Sequence, residues 1–213
     1  MSESRQTARE VTRRWPLVSG VVAVLVAAAA GALIGLRESN VEFDVEWMEN
    51  LSDNRSPLWE VPARLMDFLG GGWFGVFAVP LGVTVLLVIA RRPWAAVYFL
   101  VASILSAIIV QLLKNLYDRA RPEDILVVTD HGSFPSGHVA NAATLAVTLG
   151  IILGRRWVWF AGVVYTVMML LSRTYLGAHW LSDTVGGLLV GAGVAVIVWA
   201  PFATRLHAER PPR

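Results

Sequence analysis

The chain has 213 residues, of which 55% are hydrophobic and only 16% are charged. Its mean hydropathy is +0.57, too apolar for a soluble domain with an ordinary surface. The net charge of +2 gives no basis for a nucleic-acid partner, and the absence of cysteine excludes a disulfide framework, a thiolate metal site and a cysteine nucleophile.

Apolar runs fall at Pro16–Leu36, Trp73–Ala90, Trp94–Leu113, Val139–Leu153, Trp157–Leu171 and Thr184–Ala200. Most approach the roughly 20 residues that a bilayer-spanning helix needs. They predict an all-α polytopic membrane protein built as a six-helix bundle. The expected organisation is a cytoplasmic tail at 1–15, a first membrane helix and outer loop at 16–72, a core with five membrane helices at 73–200 and a second cytoplasmic tail at 201–213. The first run is alternatively a cleaved signal peptide, since Arg13 and Arg14 precede it, but it exceeds the usual length of about 7–15 apolar residues.

Between the first two runs, Val41, Phe43 and Val45 alternate with Glu42, Asp44 and Glu46. Ser56-Pro57 then offers a helix start, with Leu58, Val61, Leu65 and Phe68 at helical spacing. This segment predicts a short amphipathic helix lying on the outer leaflet, or an ordered cap packed on the bundle.

Charge assigns the faces. The N-terminal tail, Arg91-Arg92, Arg155-Arg156 and the C-terminal tail hold eleven of the eighteen basic residues, with only Glu3, Glu10 and Glu209 as acids. By the positive-inside rule these segments are cytoplasmic, and the acidic loops between them face outward. Trp15, Trp73, Trp94, Trp157 and Trp199 fall at helix ends, where an aromatic belt belongs. A multi-pass protein of the cell membrane is expected, with both termini inside.

An ionisable residue at the centre of a membrane helix costs about 2.5–3.5 kcal/mol on insertion scales, less near the surface. Those present call for a reason. The third run ends on Lys114, the only lysine beside seventeen arginines. Lysine supplies a compact, rotatable charge, whereas arginine supplies a planar fork for two phosphate oxygens. Lys114 and Arg121 share one face if the helix continues that far, with Pro122 as its stop. For Lys114 alone, a snorkelling helix end is the simpler reading.

Phe134-Pro135-Ser136-Gly137-His138 precedes the fourth run. Ser136 is a natural N-cap, Gly137 admits an anion to the backbone, and the free N–H groups of the first turn point at it. For these residues by themselves, an ordinary cap with a surface histidine is the simpler reading. Ser172-Arg173 closes the fifth run, and His179 and Asp183 follow, four apart. On one helical face the carboxylate would take the proton of one imidazole nitrogen and leave the other as a nucleophilic lone pair. His131 and His207 have no partner at such spacing and read as loop and tail residues. All three clusters lie at the outer face, where they can converge on a doubly charged oxyanion.

Together, Lys114-x6-Arg121-Pro122, Pro135-Ser136-Gly137-His138 and Ser172-Arg173-x5-His179-x3-Asp183 resemble the three-part signature of the type 2 phosphatidic acid phosphatase family. That family includes bacterial non-specific acid phosphatases and is related to vanadium haloperoxidases. The resemblance covers roughly Trp73 to Trp199 and implies a phosphatase/haloperoxidase-like core with its site at the outer surface. It implies His179 as nucleophile through a phosphohistidine, Asp183 as its orienting partner and His138 as the acid that protonates the leaving alcohol. It further implies that Lys114, Arg121, Ser136, Gly137 and Arg173 hold the phosphate, with no metal and no other cofactor.

The implied substrate is a lipid phosphate or pyrophosphate whose tail stays in the bilayer, undecaprenyl pyrophosphate and phosphatidylglycerol phosphate foremost. A lipid phosphotransferase is the nearest alternative. A transporter ranks lower, since the charges cluster at one face, and a vanadium peroxidase is disfavoured by the apolar runs. Gly187-x3-Gly191, and Ala142, Ala146 and Gly150, are small residues at close-packing spacing. They suggest contact within the chain, which would bring the starts of the fourth and sixth runs together, with a homodimer as the other reading. A metal-free mechanism predicts full phosphate release in excess EDTA and inhibition by vanadate; a strict requirement for an added divalent cation would contradict it.

Overall fold

A backbone surrounded by hydrocarbon has no water to bond, so long apolar runs satisfy their N–H and C=O groups internally, as helices. The computed structural model describes residues 2–37 and 40–209, with side chains described from residue 14 onward. The tail charges Glu3, Arg5, Arg9, Glu10, Arg13, Arg210 and Arg213, and Glu38, lie outside the described side chains. The helices are α1 (Ser2–Gly35), α2 (Glu42–Asp53), α3 (Pro57–Gly70), α4 (Val79–Ile89, led by a π-helical turn at Phe74–Ala78), α5 (Pro93–Tyr117), α6 (Gly137–Leu153), α7 (Arg156–Tyr175) and α8 (Leu181–Ala208). No strand occurs among the described residues. Helix α8 continues through Pro201 to Ala208, so the segment after residue 200 is largely helical.

Each of the six apolar runs lies on a helix, but the count of six membrane spans is not reproduced. Among the described residues, four helical segments are long and apolar enough to cross a bilayer alone: Arg14–Gly35, Pro93–Tyr117, Arg156–Tyr175 and Leu181–Ala208. A fifth arises if α3 and the Phe74–Ile89 helix, bent by 48° at their junction, act as one span. Helix α6 is 17 residues long, about 25 Å at 1.5 Å per residue, and falls short of a full hydrocarbon thickness. It is the central helix, packed on α5, α7 and α8.

The packing is that of a bilayer bundle. Small residues fill the interior, among them Ala95, Ala102, Ala140, Ala143 and Ala195, while Leu25, Leu86, Ile89, Phe160 and Val163 point outward. The glycines of α8 meet α6 at backbone contact: a Cβ on Gly187 would lie 2.4 Å from the Ser136 carbonyl oxygen, and one on Gly191 would lie 2.2 Å from that of Ala140. The expected stripe of Ala142, Ala146 and Gly150 does not face α8. Ala146 and Gly150 pack on Gly162 and Trp159 of α7, and Ala142 joins Met66, Val139 and Met169 in a cluster that includes α3. The close-packed seam therefore runs through Ser136 and Ala140, beginning six residues before Ala142.

The acidic segment between the first two runs holds two helices where sequence suggested one. Val41 is the N-cap of α2, and Glu42 and Asp44 open the helix, where carboxylates suit the N-terminal dipole. Helix α3 is amphipathic, and the segment packs as an ordered cap on the bundle. Asp44, Met48, Ala63 and Met66 are buried against the bundle, while Leu58, Val61, Leu65 and Phe68 are exposed. Arg55 donates to the carbonyls of Tyr175 and Asp124, and Ser56 exchanges two 2.8 Å hydrogen bonds with the Tyr175 hydroxyl. At the other end, Glu209 accepts from the N–H groups of Trp94 and Ala95, and Arg92 donates to Ile152.

Gly187→Leu would drive side-chain atoms into the Ser136 carbonyl. It is expected to lower thermal stability in detergent by about 1–3 kcal/mol and to reduce turnover without blocking membrane insertion; unaltered turnover would count against the seam as the element that sets the site.

Candidate active site

Four helix ends and one long connection converge on a single face: the C-termini of α5 and α7, the N-termini of α6 and α8, and the segment between Tyr117 and Gly137. Lys114 lies in the last turn of α5. It is buried, and its Nζ donates to both oxygens of Asp130 at 3.0 Å and to the Gly132 carbonyl at 2.9 Å. It is no snorkelling lysine. The helix does not run on to Arg121 as the seven-residue interval suggested, because Asp118 turns the chain in a left-handed conformation at φ 41°. Arg121 nevertheless returns to Lys114: its Nη2 donates to Asp130 at 2.7 Å and to the Gly132 carbonyl at 2.8 Å. Shared acceptors, and not a helical face, pair the two cations. Burial alone would raise the Asp130 pKa, but the Lys114 and Arg121 charges outweigh it and hold the carboxyl below its ordinary range.

His179 is buried, and its partners differ from expectation. Helix α8 starts at Leu181 with Trp180 as N-cap, which places His179 in the preceding loop and off the helical face of Asp183. His179 Nδ1 lies 2.8 Å from the Ser133 carbonyl oxygen and 3.7 Å from Asp183 Oδ2. A carbonyl can only accept, so Nδ1 carries the proton and Nε2 holds the lone pair. Burial, then the charges of Arg173, Arg121 and Lys114, push the His179 pKa well below its ordinary value, which keeps the ring neutral. Nε2 lies 3.4 Å from Arg121 Nη1.

Ser133 links Asp183 to His179: its hydroxyl donates to Asp183 Oδ2 while its carbonyl accepts the imidazole N–H. The carboxylate also caps α8 through the Trp180 N–H at 2.8 Å. Its other oxygen pairs with Arg119 Nη1 at 2.6 Å, and Arg119 Nη2 reaches Asp44 at 2.8 Å. Asp44 in turn accepts the Ser182 N–H at 2.8 Å. This buried chain ties α2 to the start of α8.

At the start of α6, Ser136 is the N-cap, and its N–H donates to the Asp183 carbonyl at 2.9 Å. Its hydroxyl makes no cap bond and is buried without a partner, as is Nε of Arg173. Gly137 has only an ordinary 3.6 Å neighbour where a Cβ would stand, so space remains beside its backbone. Arg173 Nη1 and His138 Nε2 both engage Asp67 of α3. His131 forms an exposed pair with Asp118 at 2.7 Å, and His207 lies in the last turn of α8.

Lys114, Gly137, His138, Arg173 and His179 line one cavity of about 740 Å³. All the residues singled out in the sequence thus gather in one region. Those it missed are the carboxylates and their linkers: Asp44, Asp67, Arg119, Asp130 and Ser133. The available signal was weak: Asp67 breaks an apolar stretch and Arg119 lies two residues before Arg121.

The family model for the PAP2 superfamily matches residues 95–206. The chain belongs to that superfamily. It is 31% identical over 169 residues to an undecaprenyl-diphosphatase of Sulfolobus acidocaldarius, covering 75% of this chain and 79% of that protein. It is 30% identical over 164 residues to a decaprenylphosphoryl-5-phosphoribose phosphatase of Mycobacterium tuberculosis, covering 73% and 90%. The crystal structure of a transmembrane PAP2-type phosphatidylglycerolphosphate phosphatase from Bacillus subtilis superposes with a TM-score of 0.74 at 24% identity, over 84% of this chain and 94% of that one, a likeness of fold. The resemblance carried by the three motifs holds, and the protein is a membrane-embedded phosphoric ester hydrolase of this superfamily.

Within the site, Arg119→Met would leave Asp44 and Asp183 buried without their shared counter-ion. A stability loss of about 3–5 kcal/mol is expected, read by thermal unfolding in detergent; a loss below about 1 kcal/mol would show that the buried chain carries little.

Proposed function

We propose that this PAP2 member hydrolyses a phosphomonoester or pyrophosphate on a membrane lipid at the outer face, through a phosphohistidine and without a metal. The observation that carries this reading is the shape of the cavity. One end presents Lys114, Arg173, His138 and His179; the other runs between α4 and α5 along Phe77, Leu81, Leu100, Ile104 and Ile108. A charged headgroup suits the first end and a hydrocarbon tail the second. Two relatives are named for polyprenyl phosphate chemistry, which favours an isoprenoid lipid such as undecaprenyl pyrophosphate over phosphatidylglycerol phosphate.

His179 Nε2 attacks phosphorus while the bond to the leaving oxygen breaks, and His138 gives that oxygen a proton. His138 then takes a proton from water, which displaces His179. Lys114, Arg121, Arg173, Ser136 and the backbone at Gly137 receive the phosphate oxygens, with Asp183 orienting His179 through Ser133. The unpartnered Ser136 hydroxyl and Arg173 Nε are groups such an oxyanion would satisfy. In the membrane, the helices carrying the six apolar runs cross or enter the bilayer, both termini are cytoplasmic, and the acidic segment with α2 and α3 lies at the outer face. Gly187 and Gly191 serve contact within the chain, and no homodimer is needed to complete the site.

His179→Ala should lower phosphate release from a panel of lipid phosphates in detergent by at least about a thousandfold and abolish acid-labile phosphoenzyme. In mixed-lipid vesicles the wild type should release free phosphate; predominant transfer to another lipid alcohol would make it a phosphotransferase instead.

A further inference from the structure

Each histidine of this site has its own carboxylate, but only Asp183 belongs to the motifs. The other is Asp67, on the inner face of amphipathic α3. Its Oδ1 engages His138 Nε2 at 3.1 Å and also Arg173 Nη1, and its carbonyl oxygen lies 3.2 Å from the same imidazole nitrogen. The ring is held from a second side by Gly71, where a Cβ would stand 2.0 Å from Nε2. Asn141, one turn after His138, donates to the carbonyls of Gly70 at 3.2 Å and Gly75 at 2.9 Å. These contacts lock the end of α3 to the start of α6, so Asp67 and His138 form one rigid corner.

The groups facing His138 are Asp67 from α3, Arg173 from α7 and His179 from the α7–α8 loop. Burial first, and then the charge of Arg173, oppose a positive charge on the ring; Asp67 alone favours it. An oxygen acceptor on Nε2 also assigns that nitrogen its proton, leaving Nδ1 as the atom free to act on substrate.

We propose that Asp67 is the positioning residue of the acid–base step, holding His138 as an imidazolium with Nε2–H on its carboxylate and Nδ1–H available to the leaving oxygen. This rests on the reading of His138 as the general acid. As the His179–phosphorus bond forms and the phosphorus–oxygen bond breaks, the leaving oxygen keeps the electron pair and takes the Nδ1 proton. His138 becomes neutral with its Nε2 proton still on Asp67. In the second step Nδ1 takes a proton from the attacking water, and the phosphorus–nitrogen bond returns its electron pair to His179. Asp67 gives up no proton in either step; it sets which nitrogen works and supports the charge that comes and goes.

The need for an acid depends on the leaving group, and this supplies the test. An alkoxide leaves poorly unless protonated, whereas a nitrophenolate leaves readily without help. In detergent, Asp67→Asn should lower the ratio of kcat on dioleoyl phosphatidic acid to kcat on p-nitrophenyl phosphate by about a hundredfold. The alkaline limb of kcat for the lipid should move to lower pH by about one unit, and Asp67→Glu should recover much of the ratio. The ratio does not depend on how much of the variant is folded. Equal losses on both substrates with an unmoved pH limb would overturn the proposal, as would faster turnover, which would make Asp67 a competitor for the phosphate contacts. His138→Gln separates the two readings: if it keeps the wild-type ratio, the acid role of His138 fails, whereas collapse there but not in Asp67→Asn removes only the role of Asp67.

Discussion

Lys114, Arg121 and Arg173 bring three positive charges to one wall, with Arg119 behind it and two imidazoles between. At an effective dielectric constant near 20, like charges 4 Å apart repel by about 4 kcal/mol, and burial strips them of water that would soften this. The wall is stable because carboxylates neutralise it, all but Asp183 from outside the motifs. Asp130 answers Lys114 and Arg121, Asp67 answers Arg173, and Asp44 with Asp183 answers Arg119. Counter-charge is the constraint on which the architecture rests, and it explains why the acidic segment carrying α2 and α3 is folded onto the bundle.

The same constraint gives the site its readiness. Asp67 and Asp130 satisfy part of the cationic wall, yet the Ser136 hydroxyl and Arg173 Nε stay buried without partners, and the backbone at Gly137 stays open. Donors held in place by helix ends need little reorganisation when charge arrives, which is the advantage of preorganised electrostatics. The Gly187–Ser136 contact brings the starts of α6 and α8 within backbone distance, and the bond from Ser136 N–H to the Asp183 carbonyl makes the two helix starts one unit.

Much of the candidate site was legible in the chain, for a physical reason. A cation or imidazole at the edge of hydrocarbon is costly, so Lys114, Arg173 and His179 stand out against their neighbours. The same reasoning erred wherever it assumed that a helix continued. Lys114 and Arg121 meet through Asp130 and Gly132, and His179 meets Asp183 through Ser133, because Asp118 ends one helix early and Trp180 starts another late. Spacing along a sequence assigns a shared face only while the helix lasts.

Hydropathy and local charge by themselves determined that the chain is helical and membrane-embedded, and its motifs determined its superfamily, since transfer cost and residue identity belong to short stretches of sequence. Tertiary structure alone decided which acid serves which base. Asp67 and His138 are 71 residues apart, and Asp44 reaches Arg119 across 75. Little in the local sequence distinguishes these aspartates from the other carboxylates of the acidic segment. Their pairing follows from how α2 and α3 pack on the bundle, and such a pairing energy exists only once the chain is folded.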